Sequence, residues 1–281
     1  MKLRYVCDKE MLVKEYFKYI NLSHHLQKKI RNLDNIVING SKAKNYYTIK
    51  KGDVLELEFN ETINQEYLPN FNDHVKILYE DEYLLVISKP AFLSSMPSHA
   101  HPLDNVLSVL KAYFEKNGIN TNIHLVNRLD YATSGLMIVS KSGICHYEVS
   151  KQEIIKKYLL EVSGKVLEDG IIEKPIKREN EYSIKRMVAS SGALSITKYK
   201  VLKNYDDKTL IEATLVTGRC HQIRVHFASI DHPLLGDKLY NSDCNKDMEY
   251  DLHLHAYYLS FIHPFLNKKI ELFDYPSWYV L

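Results

Sequence analysis

Residues 124–142 read HLVNRLDYATSGLMIVSKS. Within them, residues 135–139 (GLMIV) are a short unbroken apolar run, the signature of a buried strand. The segment ahead of the run is polar. Asn127, Arg128, Asp130, Thr133 and Ser134 crowd one loop that feeds directly into that strand. An aspartate in a loop is, on its own, more often a cap or turn residue.

Outward from this stretch the chain reads mainly as strands. Residues 75–90, VKILYEDEYLLVISKP, have the pattern of a hairpin: strand 75–79, acidic turn 80–82, strand 83–88. Residues 103–114 carry Val106, Leu107, Leu110 and Phe114 at helical spacing. Residues 157–162 alternate, with Tyr158, Leu160 and Val162 on one face. Residues 209–216 form another strand pattern, ending at Thr217-Gly218-Arg219. Residues 221–230 then read as a helix with Ile223, Phe227 and Ile230 inward, and the apolar run 252–262 has no clear period. Strands dominate without regular strand–helix alternation, which predicts an α+β fold with a mixed sheet.

Composition sets the class. The chain has 281 residues, 45% of them hydrophobic and 26% charged, the balance of an ordinary globular protein. No apolar run approaches the roughly 20 residues of a membrane-spanning helix, so no membrane partner is expected. The first 20 residues are too charged for a signal peptide, and the cytosol is the expected compartment. Cys7, Cys145, Cys220 and Cys244 include no C-x-x-C pair and read as free thiols. The net charge of +2 hides an asymmetry. Residues 1–60 hold 12 basic against 7 acidic residues, and the remainder 25 against 28. A basic first segment suggests an anionic partner such as nucleic acid.

That first segment has its own pattern. Leu12, Val13, Tyr16, Phe17 and Ile20 recur at helical spacing; Ser23 is a suitable N-cap for a second helix with Leu26, Ile30 and Leu33 buried. Asn39-Gly40 between apolar residues 36–38 and a polar strand is a hairpin signal, and residues 54–59 alternate apolar and acidic side chains. Two helices with a basic second one, then VINGSK, then KKGDVLEL, resemble the RNA-binding domain of ribosomal small-subunit protein four, the S-four domain, over residues 10–59. The resemblance implies RNA contacts, mainly to phosphates, from His24, Lys28, Lys29, Arg31 and Lys42. The expected organisation is an S-four-like domain at 1–60, a polar linker at 61–74 and a body at 75–281.

Phosphate-cradling glycine motifs, H-E-x-x-H and G-x-S-x-G are absent, which removes the main support for nucleotide-binding, zincin and hydrolase-elbow readings. His253 and His255 alternate along one strand, but no carboxylate or thiol sits at ligand spacing, so no metal is expected.

Residues 127–135, NRLDYATSG, resemble the HRLDxxTSG signature of the RluA-type pseudouridine synthases. YEDEYLLVISKP, KKYLLEV, TGRCHQIRVH with HPLLGDKLY, and LHA followed by LSFIHP resemble that family's other motifs, in its order, over residues 77–264. The resemblance implies a mixed, mainly antiparallel sheet with a central catalytic cleft, isomerisation of uridine in RNA, and no cofactor. It implies that Asp130 is the catalytic carboxylate, acting as nucleophile or proton acceptor at the sugar or the base. Arg219 is expected to pair with Asp130, Tyr158 to stack under the target base, and Leu254 to pack beside it. Arg128, Thr133, His221, Gln222 and Arg224 are expected substrate contacts. The sequence departs from the family at Asn127, where His is usual, at Tyr131 for Arg, and at Phe92 and Asn241 for Gly. The expected partner is ribosomal RNA ahead of transfer RNA, with no obligate protein partner. A catalytically silent RNA-binding protein of the same fold is the alternative class.

Overall fold

The structure is a computed structural model that describes residues 2–33, 35–59, 61–63, 67–71, 75–244 and 251–279. Its centre is a ten-stranded sheet. From one edge the strands run Gly170–Glu173, Ile196–Asn204, Lys208–Leu215, Ile155–Ser163, Leu254–Ile262, Ser134–Ser140, Leu84–Lys89 and Lys76–Glu80. Lys269–Phe273 pairs with Leu254–Ile262 off this path, and His124–Leu125 with Ser134–Ser140. Among the described strands of this sheet every pairing is antiparallel except one. Ser134–Ser140 runs parallel to Leu254–Ile262, with Ser134 opposite His255 and Gly135 opposite Ala256. The fold is therefore α+β with a mixed, mainly antiparallel sheet, as the sequence predicts.

The aperiodic run at 252–262 resolves into the strand Leu254–Ile262, which is buried along most of its length. It has strands on both sides, and with both faces of the sheet covered no alternation is required. In Leu84–Lys89 the strand period does sort the side chains: Leu84 and Val86 join one core, Leu85 and Ile87 the other. Leu136 and Ile138 divide from Met137 and Val139 in the same way. One core is closed by the helices Val106–Lys116 and Gln222–Ala228. Asn105 caps the first of these, its side chain accepting from the Ser108 N–H.

The opposite core is closed by the helix Gly143–Ser150 and by residues 2–59. There the helices Val13–Tyr19 and His24–Leu33 lie with a four-stranded sheet of Lys2–Val6, Val54–Glu58, Ile36–Ile38 and Ser41–Ala43. Asn39 and Gly40 both take positive φ, 49° and 82°, as a two-residue hairpin turn requires. Ser23 accepts from the Leu26 N–H and so caps its helix, and it also donates to Glu148 of the body at 2.5 Å. His25 packs on Tyr147 with ring centroids 4.1 Å apart. Of segment 61–74, residues 64–66 and 72–74 lie outside the described residues. Glu61 anchors its start, accepting from the Gly143 N–H at 2.9 Å.

Candidate active site

The loop 127–134 is held from three sides. Asn127 accepts from the Ile138 N–H at 2.8 Å and donates to the Leu136 carbonyl at 3.4 Å, so its amide ties the loop to the strand it feeds. That is the work of the residue standing where the family has His. Ser95 brackets Leu129, donating to its carbonyl at 2.6 Å and accepting from its N–H at 3.2 Å. Ser134 bonds to His255 Nδ1 at 2.8 Å, and the His255 Nε2 lies 3.2 Å from Asp274. At Gly135 φ is +112°, and a Cβ there would lie 2.4 Å from the Ala256 carbonyl oxygen. Only glycine lets the two strands approach so closely.

Lys89 adds a fourth hold. Its fully buried ammonium donates to the carbonyls of Pro90 and Leu93 at 2.8 Å and of Tyr131 at 3.2 Å. Burial pulls its pKa down to about 7, while the charges of Asp130 and Asp104 oppose the fall. Three carbonyls matched to three N–H donors favour the charged form. Phe92, in the loop that Lys89 clamps, has a φ of 59°. A phenylalanine in that left-handed region costs on the order of 1 kcal/mol, which is why glycine suits the position.

A cavity of about 600 Å³ opens beside this loop. Asp130, half-buried, lines it together with Arg128, Thr133 and Leu254. Tyr158 reaches it from the strand Ile155–Ser163, where its register partners are Ala213 and Ala256. Two alanines and a β-bulge between Lys157 and Tyr158 leave room for the ring and re-aim it. Burial and the Asp130 charge push the Tyr158 phenol well above its ordinary range. Among the described residues its hydroxyl has no hydrogen-bond partner. The Thr133 hydroxyl is likewise buried without a partner.

Arg219, His221, Gln222 and Arg224 line the same cavity, but one expected pairing among them is not made. No Arg219–Asp130 ion pair forms: Arg219 is exposed, and its Nε donates to the Leu194 carbonyl at 3.3 Å. The group that meets the carboxylate is His221, with Nε2 4.0 Å from Asp130 Oδ2. His221 caps the helix Gln222–Ala228 with a left-handed φ of 57°, and its Nδ1 bonds to the Tyr240 hydroxyl at 2.8 Å. Burial lowers the His221 pKa against the pull of Asp130. Gln222 is saturated within the protein: Oε1 accepts from Thr217 and the Arg219 N–H, and Nε2 donates to Ile196 and Thr197. Arg224 closes its fork on Asp237 at 2.6 and 2.8 Å. Both are held in the wall by these bonds.

Arg186 and Lys156 also line the cavity, and no motif in the sequence marks them. Arg186 sits at the end of the hairpin formed by Ile176–Arg178 and Arg186–Val188, and its backbone N–H donates to the Tyr240 hydroxyl at 2.8 Å. The cluster Lys177, Arg178, Lys185 and Arg186 was the available signal. Asp130, Cys220 and His221 bring a carboxylate, a thiol and an imidazole within 4.8 Å of one another, a donor set suited to zinc. Burial and the Asp130 charge push the Cys220 thiol up, against the pull of Arg186, Arg224 and Arg128, which disfavours the thiolate that zinc requires. His253 stacks on Trp278 and pairs with Glu161, so it and His255 are committed to packing. His24, Lys28, Lys29 and Lys42 are exposed on the N-terminal part and do not line the cavity. The Arg31 side chain lies outside the described residues.

Residues 83–229 match the RNA pseudouridylate synthase family. The chain belongs to the RNA pseudouridine synthases. These enzymes are isomerases, and the synthase resembles its relatives over most of its length. Uncharacterized RNA pseudouridine synthase YjbO of Bacillus subtilis (strain 168) is 35% identical over 93% of this synthase and 94% of its own chain. Ribosomal large subunit pseudouridine synthase D of Buchnera aphidicola subsp. Schizaphis graminum (strain Sg) is 32% identical over 93% of this synthase and 88% of its own chain. The structure called Human RNA Pseudouridylate Synthase Domain Containing 1 superposes with a TM-score of 0.61. It covers 73% of this synthase and 84% of its own chain at 22% identity, a likeness of fold.

Proposed function

We propose that this synthase converts uridine to pseudouridine in large-subunit ribosomal RNA, with Asp130 as its catalytic carboxylate. The observation that carries this reading is one cavity holding Asp130, a buried aromatic ring and guanidinium groups from three parts of the chain. The isomerisation breaks a C–N glycosidic bond, turns the uracil and joins its C5 to the same ribose carbon. Nothing is oxidised and no outside group enters, so no cofactor is called for. Asp130 acts as nucleophile or proton acceptor. Tyr158 stacks on the everted base, and the unshared Thr133 hydroxyl offers it a hydrogen bond. Arg128, Arg186 and Arg219 hold the phosphates that flank it. His221 borders the carboxylate and completes the substrate wall. Residues 1–60 act as an S-four-like RNA-binding part through Lys28, Lys29 and their neighbours. Relatives named for the ribosomal large subunit support this choice of RNA.

Two measurements test the reading. Asp130→Ala is expected to lower turnover by at least about 10²-fold, the lower bound for loss of an acid–base or nucleophilic group. RNA affinity stays within a small factor. Mapping pseudouridine in total RNA from cells lacking the protein is expected to reveal a missing site in large-subunit RNA. A missing transfer-RNA site instead would correct the substrate, and an unchanged map with an inert purified protein would leave a silent binder.

A further inference from the structure

Beside the cavity lies a group of rings that the reaction itself does not use. Tyr131 directly follows Asp130, lines the cavity and is 42% exposed. His101 stacks on it with centroids 4.5 Å apart and planes 26° from parallel. Phe92 meets it edge-on at 5.8 Å and is 39% exposed. Phe92 adopts its left-handed φ without burying its ring in either core. Burial therefore does little to offset the strain at that position.

The two outer rings are also held rigidly. The Lys89 ammonium bonds the carbonyls on both sides of Phe92, those of Pro90 and Leu93, and the carbonyl of Tyr131 itself. One buried cation thus fixes both loops relative to Asp130. Rings set in place beforehand lose little freedom when a flat partner lands on them. The neighbouring wall carries Arg128, Arg186 and Arg219, and among the described residues none of these three has a carboxylate partner within 4.0 Å. A flat apolar surface continuous with an unneutralised cationic wall fits nucleic-acid bases joined by phosphates.

We propose that Tyr131 and Phe92 form a stacking subsite for one unpaired RNA base adjacent to the nucleotide that enters the cavity. Turning a nucleotide out of its stack strips a neighbouring base of its partner. The subsite extends the His101–Tyr131 stack by one ring and receives that base, with Phe92 bordering it. Recognition is through the π-face, so it tolerates any base and favours purines. The inference rests on the isomerase reading for the identity of the entering nucleotide, but its physical test does not require turnover.

The test uses the full chain and an RNA hairpin whose loop holds one uridine flanked, on each side in turn, by 2-aminopurine. With the native protein, fluorescence at one flank is expected to be quenched on binding. Tyr131→Leu abolishes that quench and raises Kd by roughly five- to 150-fold, the equivalent of one lost base stack. Phe92→Gly has a smaller effect on Kd and leaves thermal stability equal or higher, because it relieves the backbone. Neither variant changes the slope of log Kd against log salt, since no charge is removed. On ribosomal RNA as substrate the same variants raise KM and leave kcat unmoved. The proposal is overturned if Tyr131→Leu, folded by circular dichroism, keeps the native quench, Kd and KM, or if the salt slope falls. Native binding and quenching without any pseudouridine product would sink the isomerase reading and leave the subsite standing.

Discussion

Arg186 shows what a single residue adds to the cleft. Its backbone N–H and the His221 imidazole share one hydroxyl, that of Tyr240, so the hairpin carrying Arg186 and the helix cap carrying His221 are joined at one atom. Among the described residues its guanidinium makes two long bonds of 3.2 Å, to the carbonyls of Ile184 and Lys185, and keeps most of its donors. Such a group is available to a phosphate. Arg186→Ala is expected to weaken RNA binding for any sequence and to lower the salt slope by about 1. Binding titrations over a range of salt concentrations check this. An unchanged slope would place Arg186 in the scaffold. Arg224 sits on the same wall, but its fork is closed on Asp237. For it the matching substitution is expected to act on stability first.

At the scale of elements, the decisive contact is the parallel pairing of Ser134–Ser140 with Leu254–Ile262. It brings the loop that ends in Asp130, Thr133 and Ser134 against Leu254 and His255. Gly135 permits it. Gly135→Ala combines an L-residue at φ +112° with a Cβ 2.4 Å from a backbone oxygen. The expected loss is about 2–5 kcal/mol, from strain and overpacking together. Urea unfolding is expected to show a lower midpoint at unchanged slope. Gly218→Ala, at a site with nothing within 4 Å of the added carbon, is the control and is expected to be near neutral. The strand 135–139 was legible because its apolar run is continuous. The parallel register was not, because nothing in 134–140 or 254–262 encodes which strand lies alongside. The same limit explains Arg219. Its place on the cavity wall follows from its motif, but its hydrogen bond to Leu194 depends on a segment whose fold the sequence left unread. The helix Gly143–Ser150 carries no periodic signal, because its apolar and polar residues do not divide into two faces. Only the Ser142 cap announces it, accepting from the Cys145 N–H at 3.1 Å.

For the molecule as a whole, the question is how residues 1–60 are joined to the rest. Composition and the polar run at 61–74 suggest a module on a tether. Leu3, Phe17, Leu55 and Leu57 belong to one buried core with Leu84, Val86, Leu136 and Ile138. Fully burying each such side chain contributes about 1.5–3 kcal/mol before the entropy cost of ordering it. Polar contacts fix the same interface, through Ser23 with Glu148 and through Glu61 with the Gly143 N–H and His124. A basic helix held this way stands at a set distance from the cleft. Calorimetry of the full chain is expected to give one unfolding endotherm with calorimetric and van't Hoff enthalpies in agreement. Substituting Leu57→Ala, in the strand Val54–Glu58, is expected to lower that single transition by the 2–5 kcal/mol of a core truncation. A tethered module would instead melt in its own step, and Leu57→Ala would move only that step while the transition of the body stayed in place.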